Sequence, residues 1–250
     1  MVAATIQAAP INQTGDRQRT PRLVNGDHLT RAEFERRYTA MVDVKKAELI
    51  EGMVIMPSPV SNTHSKANSL IVWWLVGYSA ATPGVEVGEN ATVRLDLDNE
   101  VQPDAHLRLL EGVGGTSHLG AADCIDGAPE LIVEIAISSA SYDYHVKRRI
   151  YRRNGVREYL IWRVEDGAID WFALEHGDYV ALAADVTGVI RSNVFPGLWL
   201  AAGALLTGDL ETVLSTLQAG LSSLEYTEFA KGLAARFAAA ASSPAADRPS

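Results

Sequence analysis

The sequence predicts an α/β domain in which helices flank a mixed β-sheet. Three observations predict it. Residues 131–137, Leu-Ile-Val-Glu-Ile-Ala-Ile, are an apolar, β-branched run of the kind carried by a strand covered on both faces. Residues 62–80 set Ala67, Leu70, Ile71, Trp74, Leu75 and Tyr78 at helical spacing. Between 158 and 182, three strand-like runs are punctuated by Asp166-Gly167 and Gly177-Asp178, which reads as a meander.

In chain order, residues 1–27 are polar and mixed, with Pro10 and Pro21, and read as a loose N-terminal tail. Thr30 followed by Glu33 predicts a capping box and a helix to about Tyr38. Residues 47–56 read as strand, interrupted by the Glu51-Gly52 turn signal and ended by Pro57-Ser58-Pro59. The long helix over 62–80 follows. Strands over 85–97 and 101–109 are joined across Asp98-Asn99-Glu100, and the Gly-rich stretch 111–129 reads as a surface loop. After the buried strand, a helix runs from about Ser141 to Asn154 and is stopped by Gly155. Strands over 158–164, 168–175 and 178–182 come next, and beyond Pro196 the chain turns helical to about Ala241. This divides the chain into a domain over 28–205, a helical extension over 206–241 and a small-residue tail over 242–250. No internal repeat is present.

The bulk numbers narrow the function classes. The 250 residues, 47% hydrophobic and 21% charged, are ordinary for a globular enzyme or binding domain. A net charge of -9 does not announce a nucleic-acid binder, although a local basic surface can exist against it. Cys124 is the only cysteine, so no internal disulfide or cysteine-based zinc site can form, and a reducing cytoplasm fits best. No signal-peptide core or run near the ~20 apolar residues of a membrane helix occurs. No G-x-G-x-x-G, P-loop, H-E-x-x-H or G-x-S-x-G pattern occurs either, so nucleotide-cofactor and serine-hydrolase readings lack support.

The informative residue is Glu134, an acid in the middle of the buried strand. An ionised carboxylate taken out of water costs several kcal/mol unless it is paired. Glu134 therefore has a raised pKa, a cationic partner, or a metal ion where the strand opens into a cleft. Asp104, after Pro103, is either an ordinary turn aspartate or a second acid at the end of the neighbouring strand. Two carboxylates at adjacent strand ends make a hard-oxygen site suited to Mg²⁺ or Mn²⁺. With alternating side chains, Ile132, Glu134 and Ala136 share a face, and Ala136 leaves space beside the carboxylate.

The following helix carries Lys147, Arg148, Arg149, Arg152 and Arg153, then Arg157, without an acid between Tyr144 and Arg157. Such a run is either a solvated helix face or a grip on a phosphate backbone. Lys147, beside Val146 and near Ile150 and Tyr151, is the cation expected to face inward. Glu48 is a third candidate acid that by itself looks like an exposed strand residue. His64, near the start of the long helix, reads as a cap or hydrogen-bonder or as an auxiliary site residue. Trp73 and Trp74 are expected in the core.

Together these residues resemble the Uma-type family of restriction endonucleases, within the PD-(D/E)XK nuclease superfamily. The resemblance spans residues 29–200. It rests on Glu48-Leu49-Ile50-Glu51-Gly52 with Pro57-Ser58-Pro59 and His64, on Gln102-Pro103-Asp104, and on Pro129-Glu130-Leu131-Ile132-Val133-Glu134-Ile135. Ser138-Ser139-Ala140-Ser141, Lys147, Tyr151 and Gly155-Val156-Arg157-Glu158-Tyr159-Leu160-Ile161 add to it. Each piece is weak alone, and their order and spacing are specific. The resemblance implies a restriction-endonuclease-like mixed central sheet with flanking helices and a divalent metal held by Asp104 and Glu134. The superfamily's lysine would stand at Ala136; in this family it lies on the following helix, which matches Lys147. Glu48 matches the extra acid supplied from the N-terminal part. Two departures are Ala136-Ile137 ahead of Ser138, and Arg163 where an aspartate is common.

The function so implied is metal-dependent hydrolysis of DNA phosphodiesters, with Mg²⁺ or Mn²⁺ on Asp104 and Glu134, Lys147 orienting water or stabilising charge, Glu48 assisting, and Arg148, Arg149, Arg152 and Arg153 on the backbone. The alternative is a catalytically silent nucleic-acid-binding or protein-interaction module on the same fold. A homodimer is the expected form if both strands are cut.

Overall fold

The computed structural model describes residues 20–137 and 143–242. The first part of the expected N-terminal tail, the Ser138–Ser141 segment with the start of the expected helix there, and the C-terminal tail from 243 lie outside the described residues.

Helix α1 (Arg31–Thr39) starts where its cap predicts, the Thr30 hydroxyl accepting the Glu33 N–H. The box is half made, because the Glu33 carboxylate turns to Arg36 and Arg37 at 2.6–2.8 Å. Strands β1 (Glu48–Ile50) and β2 (Met53–Ile55) form a hairpin. Its turn holds Glu51 and Gly52 at φ of 50° and 75°, as a type I′ turn demands. Helix α2 (Asn62–Ala81) is capped by Ser61 and buries Ala67, Ile71, Trp74, Leu75 and Tyr78, the face its spacing predicts. Trp74 is fully buried, its indole donating to the Trp199 carbonyl at 3.1 Å, whereas Trp73 is 38% exposed on the outer face.

The next region departs from expectation. The strand expected over 85–97 splits into β3 (Val85–Glu89) and β4 (Val93–Arg94), and that over 101–109 into β5 (Glu100–Val101) and β6 (Ala105–Leu109). Asn90 in the left-handed region (φ 52°) turns the chain out of one ladder, and Pro103, with no N–H to donate, breaks the other. Each half then joins a different sheet. The stretch 111–129 is more than a surface loop: it contributes β7 (His118–Leu119) and β8 (Ile125–Asp126) and buries Val113 and Ile125.

Strand β9 (Leu131–Ala136) is buried at every position. One π-turn over Asp143–Lys147 leads into α3 (Arg148–Arg153). Strands β10 (Glu158–Arg163), β11 (Ala168–Glu175) and β12 (Asp178–Ala181) form the expected meander. A hairpin of β13 (Val189–Arg191) and β14 (Trp199–Ala201) precedes helices α4 (Ala202–Thr207), α5 (Leu210–Leu221) and α6 (Leu224–Ser242). The strand after Pro196 is a second departure from the expected all-helical run.

Two six-stranded sheets result, ordered β12-β11-β10-β9-β6-β3 and β2-β1-β5-β4-β8-β7. In the first, β9 runs parallel to β10 and antiparallel to β6. One face of this sheet (Ala105, Leu107, Val133, Ile135, Leu160, Trp162) packs with α2 and the C-terminal helices into the larger core. The other face (Ile132, Ala136, Tyr159, Ile161, Phe172) packs with α3 and with Ile50, Val93, Val101 and Ile125 of the second sheet. The fold is thus mixed α/β, with mixed sheets flanked by helices.

A buried acid ties the C-terminal half down. Glu158 on β10, fully buried, accepts hydrogen bonds from the Asn193 and Val194 N–H groups, the Ser192 hydroxyl and the Trp171 indole at 2.7–3.1 Å. Burial pushes its carboxyl up to about 7, against those four donors. A raised folded-state pKa means that its contribution is present at low pH and is lost as pH rises through about 7. Wild-type protein is therefore expected to unfold at lower temperature at pH 8 than at pH 6, and Glu158→Gln to narrow that gap in a calorimetric pH series. An unchanged gap would contradict the assignment.

Candidate active site

The register continues one residue past the β6–β9 ladder to set Asp104 opposite Glu134, since Ala105 pairs with Val133. Directly opposite residues share a face. Asp104 and Glu134 therefore stand opposite each other at the end of the ladder, Glu134 meeting β1 and the start of α3, and Asp104 meeting the N-terminus of α2. Two sets of contacts form around them. The Glu134 Oε1 accepts hydrogen bonds from Lys147 Nζ at 3.0 Å and from the Tyr151 hydroxyl at 2.6 Å. Lys147 Nζ also lies 3.2 Å from both carboxylate oxygens of Glu48. Glu48 is held in turn by the Gln102 N–H at 2.7 Å. Asp104 Oδ2 accepts the Ile135 N–H at 2.8 Å and lies 3.1 Å from His64 Nε2, while Lys46 Nζ stands 3.7 Å from its Oδ1.

These groups come from β1, β9, α2, the turn into α3 with α3 itself, and the segments before β1 and around Pro103, and local sequence explains the arrival of the acids and of Lys147. The Pro103 break lets Asp104 leave the ladder and turn its carboxylate onto the β9 backbone. Lys147 and Tyr151 are four residues apart, so one helical face delivers both to the same oxygen. The Glu51-Gly52 hairpin turns β1 so that Glu48 faces inward. Glu48, Asp104, Glu134 and Lys147 are at most 5% exposed, and Tyr151 is fully buried.

Electrostatics follow from this packing. Burial would raise the Asp104 carboxyl, but the His64 hydrogen bond, the Lys46 charge and the Ile135 N–H together hold it below the usual aspartate range. Burial and the neighbouring Glu134 and Glu48 charges drive the Tyr151 phenol well above its ordinary pKa, so it serves as a proton-bearing donor. His106, next on this face after Asp104, is pushed down to about 4 by burial and by Arg108, and so is neutral. Its ring lies against Gly88, where an added Cβ would come within 2.4 Å of the ring carbon. Gly88→Ala is expected to lower stability by about 1–3 kcal/mol through this overpacking, measured by denaturant titration; an unchanged midpoint would show that the ring has room to move.

The predicted site residues separate into two groups. Glu48, Glu134 and Lys147 are brought into contact, Asp104 and His64 form a second contact pair one register step across the sheet, and Glu48 is buried rather than on an exposed strand edge. The arginines are not part of this cluster. Arg149 and Arg153 bond Glu51 at 2.8 and 3.3 Å, Arg153 lies 3.6 Å from Asp96, and Arg152 bonds Asp178 at 3.0 Å. Arg148 stacks over Phe172 at 4.1 Å from the ring centre. Lys46 and Tyr151 are site neighbours that the residue-level reading did not single out. Tyr151 could have been found from its i+4 spacing to an inward lysine; Lys46 carries no such signal.

The donor set can be tested against a divalent cation. Among the described residues, no group of three His, Cys, Asp or Glu side chains stands ready to hold an ion. Mg²⁺ needs fewer, since it is commonly held by one or two carboxylates with the remaining positions left to water and substrate phosphate. Asp104 and Glu134 are two such carboxylates, and among the described residues no hydrogen bond reaches Asp104 Oδ1. Two carboxylates are the donor chemistry a hard cation selects for.

The sheet order, flanking helices and paired acids define a restriction-endonuclease-like fold with an acid–lysine centre. A crystal structure described as a putative nuclease belonging to DUF820 from Anabaena variabilis is similar in fold, with a TM-score of 0.52 at 13% identity, covering 64% of this chain and 90% of that one. The family model Uma2, described as "Putative restriction endonuclease", matches residues 31–203. The chain belongs to the Uma2 family. No curated protein matches it. No helix among the described residues is long and apolar enough to cross a membrane.

Proposed function

We propose that the protein is a metal-dependent nuclease of the PD-(D/E)XK type that hydrolyses DNA phosphodiesters. One observation supports this above the rest: Glu134 and Glu48, two buried acids, share one buried lysine, with Asp104 opposite Glu134 in the sheet register. A structural ion pair needs one acid, whereas this centre keeps a surplus of negative charge, as a cation site does. Family membership supports the same reading.

In this reading Asp104 and Glu134 hold the ion, Mg²⁺ or Mn²⁺. When bound, such an ion polarises the scissile phosphate and lowers the pKa of a water molecule. The chain's own residues do the rest. Tyr151 and the Ile135 N–H orient the two carboxylates, as hydrogen-bonded supports of metal ligands do. Lys147 donates to the charge that develops on the phosphate oxygens. Glu48 holds Lys147 in place and accepts a proton from water. His64 fixes the same Asp104 oxygen, Oδ2, that accepts the Ile135 N–H. Arg148, Arg149, Arg152 and Arg153 could add backbone contacts only by exchanging their present carboxylate and aromatic partners for phosphates.

The test is Mg²⁺ or Mn²⁺ binding by calorimetry together with cleavage of duplex DNA, on wild type and Glu134→Gln. Loss of both in the variant supports the reading. Metal-independent DNA binding without cleavage in either protein would favour a silent binding module.

A further inference from the structure

The centre is buried, so substrate must reach it from a particular side. Of the groups described above as holding the three carboxylates, Lys46 and His64 alone reach solvent appreciably, with side chains 24% and 20% exposed. Both contact Asp104. Next to them, Pro57, Ser58, Pro59, Val60 and Ser61 are exposed and lead into α2, whose first turn carries no acid. Residues 56–66 hold no acid at all, and Lys45 is exposed without an ion pair among the described residues. His64 Nδ1 and, one turn along, Asn68 Oδ1 are buried polar atoms with no hydrogen-bond partner there.

The opposite side differs. Arg149, Arg152 and Arg153 extend along α3 away from Lys147 and end on Glu51, Asp96 and Asp178. Glu51 alone spans two of them from the hairpin turn. Their charge is compensated, and their contacts join α3 to the β1–β2 hairpin on one side and to β12 on the other.

We propose that the nucleic-acid backbone reaches the centre across the rim formed by Lys46, His64 and the Pro57–Ser61 loop, and that the α3 arginines are an internal staple rather than the phosphate grip. Lys46 is then a phosphate-contacting residue beside the scissile position. The inference rests on the nuclease reading and specifies which face meets its substrate.

The test measures binding of a labelled duplex by fluorescence anisotropy across a salt series, with Mg²⁺, using Glu134→Gln as the non-cleaving parent. Each phosphate contact contributes about 0.9 to the slope of log K against log salt. Lys46→Gln is expected to lower that slope by about 0.9 and weaken binding several-fold. Val60→Glu, at a site 66% exposed and so without consequence for folding, should weaken it too. Arg153→Gln should lose less than Lys46→Gln. The proposal is overturned if both rim variants bind like the parent while Arg153→Gln carries the loss. A different result sinks the nuclease reading itself: wild-type protein that neither cleaves nor binds DNA with metal present. Glu134-dependent cleavage that is indifferent to Lys46 and Val60 sinks only the rim.

Discussion

Replacing Glu134 with glutamine is expected to lower metal-stimulated DNA cleavage by about a thousandfold or more, equivalent to ~4 kcal/mol of transition-state stabilisation, while leaving the fold in place. Glutamine keeps the shape and keeps an oxygen that can accept from both Lys147 and Tyr151, the two donors now on Glu134 Oε1. What it loses is the charge, and a hard divalent cation selects for charge. Lys147 retains Glu48 as a partner, so no buried ammonium is stranded. The check is threefold: calorimetry for metal binding, single-turnover cleavage, and thermal unfolding. Unfolding near the wild-type temperature with both other signals gone is the expected pattern. Cleavage that survives in the variant would remove Glu134 from the mechanism.

Lys147→Met should have the largest effect on stability. The methionine replaces the stem but not the ammonium, so Glu48 and Glu134 lose the cation they share in a site almost closed to water. Breaking a buried ion pair by removing one partner costs about 3–5 kcal/mol, because the remaining charge is neither hydrated nor compensated. Two consequences separate this from a loss of packing. Glu48→Gln in the same chain should restore much of the stability, since it removes one of the stranded charges. Saturating Mg²⁺ should raise the denaturation midpoint of Lys147→Met more than that of wild type, because the ion supplies the missing positive charge. Equal midpoints for wild type and Lys147→Met without metal would show that the lysine does not hold the acids together.

Much of this was legible in the chain. Periodicity located α2, because a helix buries one stripe whatever its neighbours are, and β-branched residues located β9. The cost of burying a charge singled out Glu134 from its strand alone. The inward direction of Lys147 could be read from the apolar residues around it. The breaks at Asn90 and Pro103 were less readable. Each lies between strand-forming runs short enough to be taken as one strand, and which sheet each half joins depends on pairing partners far along the chain. The β13–β14 hairpin was missed for the same reason: Trp199, Leu200 and Ala201 suit a helix as well as a strand, and only pairing with Val189, Ile190 and Arg191 decides.

The sequence by itself determined the class of fold and the inward placement of Glu134 and Lys147, because those follow from local pattern and from the free energy of burying charge, whereas Asp104 and Glu48 stood out only through the family resemblance. Only the tertiary structure decided what the charges do. Glu48 looks exposed in its strand and is buried because β1 turns inward onto Lys147. The arginines after Lys147 look like a phosphate grip along one helix, yet Glu51, Asp96 and Asp178 take three of them. Lys46 is unremarkable in the chain and His64 reads there as a cap or an auxiliary residue; both become the solvent-facing edge of the centre because Asp104 turns to meet them. Long-range Coulomb partners are set by which segments pack together, and no local pattern encodes that.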